Sequence, residues 1–313
     1  MELTVNTVNF STKKFSWNTT LTLSHNKNSV KALTGEAVQL YEAKFGFNQN
    51  THRIAVGEPL GQFYGYITEG LYQVDDFNYD ASTQTYTLKD GVSYHGDKGQ
   101  IRPGMWKFKN LTGDDNVIDE NDKTVIGNAQ PKFYGGLNNS FTYKGFDLSI
   151  FLTFSYGNEV LNATKLVTSK VGSLNYNALD VMNSSNRWMT INSDGQKVTD
   201  PGELAALNAG KTVAAYHDAQ QGDNYIHSWA VEDASYLKLS NVTLGYTFPK
   251  NLIARVGLKN LRLYATGNNL LTWTKYSGFD PEVSTMKSGL TPGVDFGAYP
   301  LSRSFIFGLN VAF

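Results

Sequence analysis

The sequence has no cysteine, which excludes disulfide bridges and thiolate metal sites. An excess of either charge is also missing, because 27 Lys and Arg stand against 28 Asp and Glu. The resulting net charge of -1 argues against a broad basic surface for nucleic acid. No run approaches the roughly 20 apolar residues that a membrane-crossing helix needs. Tyr and Phe are abundant instead, at 18 each, as is typical of β-rich proteins.

Apolar side chains alternate with small or polar ones in several segments, which is the pattern of strands with one apolar face. The last segment has apolar residues at every odd position from Phe305 to Phe313. Tilted strands of about ten residues are long enough to cross a bilayer. The pattern predicts about eight such strands, at 3–8, 15–25, 28–33, 133–143, 146–156, 242–248, 261–271 and 304–313.

The predicted connections alternate in length. Short links at 26–28, 143–145 and 249–260 separate long ones at 34–132, 157–234 and 272–301. Outer-membrane barrels have short periplasmic turns and long extracellular loops. Soluble sandwiches and propellers also alternate, but such long loops are rare in them, and no 20–50-residue repeat supports a propeller. We therefore predict an all-β, antiparallel transmembrane β-barrel with long extracellular loops.

Several motifs follow one another in the order found in a known family. They are Val56–Gly61 with Phe63–Tyr66, Val117–Asp122 through Gly127, Pro131–Phe133 with Gly136–Asn139, Tyr143–Asn158, Val231–Leu239, Gly267–Leu271 through Tyr276–Glu282, Pro292–Asp295 and Tyr299–Arg303. On these residues the chain resembles the C-terminal part of SusC-like TonB-dependent outer-membrane transporters of Bacteroidota. The likeness extends over nearly the whole chain.

The resemblance implies that residues 1–313 are part of a barrel of roughly 22 strands whose lumen is filled by a separate plug. The signal peptide, the plug domain and the N-terminal strands are then absent. Met1–Val5 has no basic start, apolar core or cleavage site of a signal peptide. The implied location is the bacterial outer membrane, in contact with its lipid.

The function implied by the resemblance is TonB-dependent import of oligosaccharides or other bulky nutrients, including peptides. The implied partners are a SusD-like surface lipoprotein and the TonB complex, which would act through the absent N-terminal part. The alternative is a soluble or surface β-rich carbohydrate-binding module. No catalytic motif is present, so we do not expect an enzyme.

The loop 110–122 resembles the acidic calcium-type loop of this family. Asp114, Asp115, Asp119 and Asp122 are the candidate ligands, because calcium prefers several carboxylate and carbonyl oxygens. Aligned as an EF-hand-style loop, the segment lacks two ligands, and Asp114 is the possible substitute. The alternative, which we favour, is a solvated acidic hairpin without an ion. We expect no other cofactor.

Two groups of aromatic residues suggest different roles. Tyr143, Trp273, Tyr276 and Phe313 stand near predicted strand ends, where aromatic girdles meet the lipid headgroups. A second group lies in the long loops and either stacks on sugar rings or packs the loops together, the latter being the expected fate for most. Its members are Tyr64, Tyr66, Tyr72, Trp106, Trp188, Tyr225 and Trp229.

Overall fold

The alternating segments form one antiparallel sheet in the computed structural model, which describes residues 1–35, 38–42, 50–113, 115–169, 177–215, 225–285 and 288–313. Sheet order follows chain order, so the first and last of its strands are the edges. Within the described ranges the sheet has seven strands: β1 (Glu2–Ser11), β2 (Phe15–Ser24), β3 (Phe133–Tyr143), β4 (Phe146–Tyr156), β5 (Tyr236–Thr247), β6 (Asn260–Thr274) and β7 (Ser304–Ala312).

The links at one end of the sheet are short and those at the other end are long. Residues 12–14, 144–145 and 248–259 connect strands at what we call the short-turn end. Residues 25–132, 157–235 and 275–303 connect them at the long-loop end. The predicted alternation of link lengths is confirmed, but its first short turn is 12–14 and not 26–28.

The strand predicted at 28–33 is wrong, and the seven strands replace the expected eight. This segment bonds to a neighbouring loop instead of to the sheet. The amide of Val30 donates to the carbonyl of Glu58 at 2.9 Å, and the amide of Gly57 donates to the carbonyl of Val30 at 2.8 Å. The side chain of Asn28 accepts the amide of Leu60 at 2.7 Å. This short alternating segment therefore forms its backbone hydrogen bonds with a loop and not with a strand of the sheet.

Strand β5 begins six residues before its predicted start at 242, because a β-bulge hides its first half from a period-two pattern. Phe151 of β4 pairs with Asn241 and Leu152 pairs with Leu239, so Ser240 is an extra residue in β5. An extra residue moves the apolar positions from odd to even numbers while keeping them on one face. Leu237 and Val242 thus face the same side.

One face of the sheet is apolar, and its side chains are partly or largely exposed. A typical row runs through Phe141, Leu148, Leu244, Ala265 and Phe307, which are successive cross-strand partners. Leu244 is 50% exposed and Phe307 is 81% exposed. A soluble monomer rarely leaves so large an apolar surface in contact with water.

The opposite face is polar, and its side chains bond to one another across the strands. The side chain of Asn241 donates to that of Asn268 at 2.7 Å, and Thr243 and Thr266 are 2.9 Å apart at their hydroxyl oxygens. Apolar residues on one face and polar residues on the other are the arrangement of a barrel wall between lipid and lumen.

The long connections fold into short strands and turns at the long-loop end. No helix in the described ranges is long and apolar enough to cross a membrane. Helices α1 (Ala163–Thr168) and α2 (Pro201–Leu207) lie in these connections, and α3 (Lys250–Ile253) lies at the short-turn end. The short strands are Val38–Glu42, Asn50–Ala55, Gln62–Gly65, Thr68–Leu71, Phe77–Asp80, Thr85–Leu88, Tyr94–His95, Trp106–Phe108, Val117–Ile118, Thr124–Asn128, Glu159–Asn162, Val231–Asp233 and Val294–Asp295. Single 3-10 turns lie at Val74–Asp76, Lys98–Gln100, Glu120–Asp122, Asp180–Met182, Ser228–Ala230 and Ala254–Val256.

Candidate functional site

The long connections pack against one another and form what we call the loop layer, residues 25–132, 157–235 and 275–303. Two segments far apart in the chain are joined by backbone hydrogen bonds: the amide of Tyr66 donates to the carbonyl of Ile226, and that of Ser228 to the carbonyl of Tyr66, both at 2.9 Å. Tyr66 belongs to one buried apolar cluster and Ile226 to the next. The loop layer therefore has its own hydrophobic core above the sheet.

Most of the loop aromatics build this core. Tyr66, Tyr72, Trp106 and Trp188 are at most 5% exposed, so they are not open platforms for sugar rings. The alternative of loop packing is confirmed for these four. Tyr72 also donates its hydroxyl to the carbonyl of Ser93 at 2.7 Å. The remaining three are partly buried, namely Tyr64, Tyr225 and Trp229.

A buried ion pair connects three segments of the loop layer. The Nζ atom of Lys165 in α1 lies 3.0 Å from Oε1 of Glu232, and both side chains are less than 15% exposed. Ser277 donates its amide and its hydroxyl to the same carboxylate, each at 2.9 Å. Nζ of Lys165 also lies 4.0 Å from the centre of the Trp229 ring. Burial raises the pKa of Glu232, but the bonds from Ser277 and the charge of Lys165 outweigh it and hold the pKa below its usual range.

Tyr276 belongs to the loop layer, and its predicted place in a membrane girdle is wrong. Its ring is 5% exposed and packs with Val160 and Ala234. Its hydroxyl donates to Oδ2 of Asp295 at 2.6 Å. The position directly after β6 suggested the headgroup level, but the ring is buried in a cluster with Val160 and Ala234 instead.

A cleft of about 200 Å³ opens between α1 and the segment that follows Tyr276. Asn162, Ser277 and Asp295 line it, together with Phe279, whose ring is 79% exposed. The polar groups in it already have partners, since Ser277 bonds to Glu232 and Asp295 to Tyr276. What the cleft offers is therefore mainly apolar surface.

The acidic loop 110–122 is organised around Asp122, which is 1% exposed. Its Oδ1 accepts the amides of Leu111 and Thr112 at 2.6 and 3.1 Å, and its Oδ2 accepts the amide of Asp119 at 2.8 Å. Asp119 in turn accepts the amide of Asn121, and Asp115 accepts that of Val117. These carboxylates thus bind backbone amides of their own loop.

The calcium site stays a prediction. Asp114 lies outside the described residues, and among those described no three His, Asp or Glu side chains converge as metal ligands do. Burial raises the pKa of Asp122, but the hydrogen bonds from Asp119, Leu111 and Thr112 outweigh it and hold the pKa below its ordinary value. Asp122 is therefore the charged centre of the loop with or without an ion.

Replacing Asp122 by asparagine is expected to destabilise loop 110–122 by about 1–3 kcal/mol, because an amide nitrogen would then face amide donors. The depressed pKa gives the pH dependence. The stabilisation is present above the unfolded pKa and is lost as the pH falls through the folded one. Hydrogen exchange at the amides of Leu111 and Asp119 checks both statements. Asp115→Asn is the control, since Asp115 accepts a single amide at 3.2 Å. Equal exchange in both variants would contradict the role of Asp122. Added calcium should slow the exchange of these amides only if calcium binds to loop 110–122.

Comparison with known proteins shows which family the chain resembles. No protein-family model matches the chain. TonB-dependent receptor P3 of Formosa agariphila is 33% identical over the whole chain, and TonB-dependent receptor SusC of Bacteroides thetaiotaomicron is 27% identical over the whole chain. The structure of the RagAB peptide transporter superposes on the whole chain with a TM-score of 0.67 at 19% identity. Over its whole length the chain is similar to SusC-like TonB-dependent receptors.

Members of this family are outer-membrane proteins, and the seven-stranded sheet is part of an antiparallel transmembrane barrel. The chain spans 28% of receptor P3, 26% of SusC and 29% of the RagAB chain. In outer-membrane barrels the short turns face the periplasm and the long loops face the outside. The short-turn end of this sheet is therefore the periplasmic end, and the loop layer is the outer one.

The three remaining girdle residues lie at the ends of the barrel wall. Tyr143 is 48% exposed at the periplasmic end of β3, and Trp273 is 51% exposed at the outer end of β6. Phe313 follows β7 and is 80% exposed. Their contact with lipid headgroups stays a prediction, which their positions suit.

Sequence reasoning missed the residues that hold the SusC-like loop layer together. Glu232 and Ser277 both lie in motifs that carried the family resemblance, and so does Asp295. The presence of polar residues in these motifs was a signal that could have pointed to a structural role. Their partners, above all Lys165, are distant in the sequence and could not be paired without the fold.

Proposed function

We propose that the chain is the wall and loop portion of an outer-membrane importer of oligosaccharides or other bulky nutrients, peptides included. The observation that carries this proposal is the union of an exposed apolar sheet face with a folded loop layer at one end. The first belongs in lipid, and the second is a structured surface outside it. The names of the relatives support transport, and in this role the chain is not an enzyme.

The proposed partners are a SusD-like surface lipoprotein and the TonB complex. A lipoprotein would dock on the loop layer, where Phe279 offers an exposed ring beside the apolar cleft. The TonB complex would supply energy through parts of the receptor other than the residues described above. The RagAB neighbour is named a peptide transporter, and this supports peptides as one substrate class beside oligosaccharides.

A soluble carbohydrate-binding module is the weaker alternative. Such a module would need open loop aromatics on which sugar rings can stack, and four of the seven loop aromatics are buried. It also leaves the apolar face of the sheet, with Leu244 half exposed, in contact with water.

Deleting the gene of the full-length receptor is expected to abolish growth on at least one glycan or peptide source. Growth should return with the intact gene, and an affinity-tagged receptor should retain a surface lipoprotein on purification. Phe279→Asp is expected to weaken that retention at least tenfold, since it places a charge at an apolar contact. Leu252→Asp, at the periplasmic end, is the matched control. Unchanged growth on every source, with no lipoprotein retained, would overturn the import proposal.

A further inference from the structure

The short-turn end carries a concentration of positive charge. Seven basic residues lie there against a single acidic one, Asp147, although the whole chain has 28 acidic residues and a net charge of -1. Asp147 is itself paired with Arg262 on the polar face at 2.5 Å. The other six basic residues are exposed, and we call them the basic rim: Lys13, Lys14, Lys144, Lys250, Arg255 and Lys259.

The rim is held in place by the turns that carry it. The amide of Lys144 donates to the carbonyl of Lys14 at 3.4 Å, which joins two neighbouring turns. The amide of Lys259 donates to the carbonyl of Ala312 at 2.8 Å. Among the described residues none of the six makes an ion pair. Their charges thus lie together at the short-turn end and are available to an external anion.

Apolar side chains stand directly beside these charges. Leu252 and Val256, on α3 and the turn after it, are 53% and 71% exposed, while Ile253 between them is buried and anchors the segment. On the lipid-facing side Tyr143 and Phe146 are each about half exposed. Cations next to exposed apolar groups are the pattern of a surface at the membrane interface, where lysine stems lie along the lipid and their ends reach the headgroups.

We propose that the basic rim binds the phosphate headgroups of anionic phospholipids in the periplasmic leaflet. Charge complementarity favours an anion, and the exposed Leu252 and Val256 favour a lipid over a water-soluble polymer. The inference rests on the outer-membrane location in the proposed function but not on what is imported. The bound lipids would fix the depth and tilt of this side of the barrel.

The test uses the full-length receptor in nanodiscs that contain phosphatidylethanolamine and phosphatidylglycerol in a known ratio. Mass spectrometry of the lipids that remain on the receptor after mild delipidation gives the enrichment of phosphatidylglycerol. Neutralising all six rim residues to glutamine is expected to lower this enrichment about fivefold or more, the factor associated with one cation at an anionic surface. High salt should lower it in the unaltered receptor as well, because exposed charges are screened.

Two variants control for folding and for total charge. Replacing the five rim lysines by arginine keeps the charge and should keep the enrichment. Six glutamines at exposed basic residues of the loop layer should also leave it unchanged, at Lys27, Lys31, Lys109, Lys197, Lys275 and Arg303. Growth on the imported nutrient is measured separately, so a failed import proposal does not affect this readout.

Equal enrichment in the receptor and the rim variant would overturn the inference, and so would an equal loss in the loop-layer variant. A third outcome would also overturn it. If soluble peptidoglycan fragments bind the detergent-purified receptor, and the rim variant loses that binding but keeps phosphatidylglycerol, the rim is a site for an anionic polymer.

Discussion

Replacing Glu232 by alanine is expected to open the loop layer around it, with a loss of about 3–5 kcal/mol in local stability. Removing one partner of a buried ion pair leaves the other charge without compensation, and this is strongly destabilising. Here the partner is Lys165, whose side chain is 14% exposed. Ser277 also loses the acceptor of both its amide and its hydroxyl. Hydrogen exchange at the amide of Ser277 in the full-length receptor measures the effect directly.

Two further variants separate charge from shape at this position. Glu232→Gln loses the charge and one of the two oxygens to which Ser277 donates, but it keeps the other acceptor, so it should show an intermediate loss. Glu203→Ala, on the exposed face of α2, is the matched control and should leave the exchange unchanged. If Glu232→Ala exchanges no faster at Ser277 than this control does, the ion pair is not what holds the three segments together.

The pH dependence of the same site follows from the lowered pKa of Glu232. A depressed folded pKa means that the carboxylate stabilises the fold at and above the unfolded value, which is near 4.5. The contribution is lost as the pH falls through the lower folded value. Ser277 should therefore remain protected at neutral pH and lose protection only in acid.

The barrel wall could be predicted from the sequence because each strand has its own signal. Leu148 and Leu152 lie on one face of β4 simply because they are an even number of residues apart. The prediction failed where the period of the alternation changed, as at Ser240. It also failed where a short segment, 28–33, showed the alternation without forming a strand. Bulges depend on the partner strand, which a single-strand pattern does not contain.

The loop layer could not be predicted in the same way. Lys165 and Glu232 are 67 residues apart, and Ser277 is another 45 residues on. Such contacts depend on how the loops pack, and loops have no periodicity that reports burial. The sequence therefore could not decide whether Trp188 is a sugar-binding platform or packs the loops together, and in the structure its ring is 1% exposed. Only family motifs pointed to these segments, and they did not say which residues meet.

Replacing Gly65 by alanine is expected to separate the two main clusters of the loop layer, with a loss of about 3 kcal/mol. A Cβ atom at this position would lie 2.2 Å from the carbonyl oxygen of Ile226. That oxygen accepts the amide of Tyr66, so it cannot move away without breaking the bond that joins the segments. A methyl group forced against backbone should cause a destabilisation at the upper end of the range for overpacked positions, because no side chain can rotate to make room.

Exchange at the amides of Tyr66 and Ser228 measures this effect, since both donate across the junction. Gly289→Ala is the matched control, because a Cβ there meets nothing within 4 Å. Exchange at the amide of Leu148, in the barrel wall, should be the same in both variants, which would show that the damage is confined to the loop layer. If Gly65→Ala protects Tyr66 and Ser228 as well as the control does, the close approach at Ile226 is not needed for the two clusters to stay together.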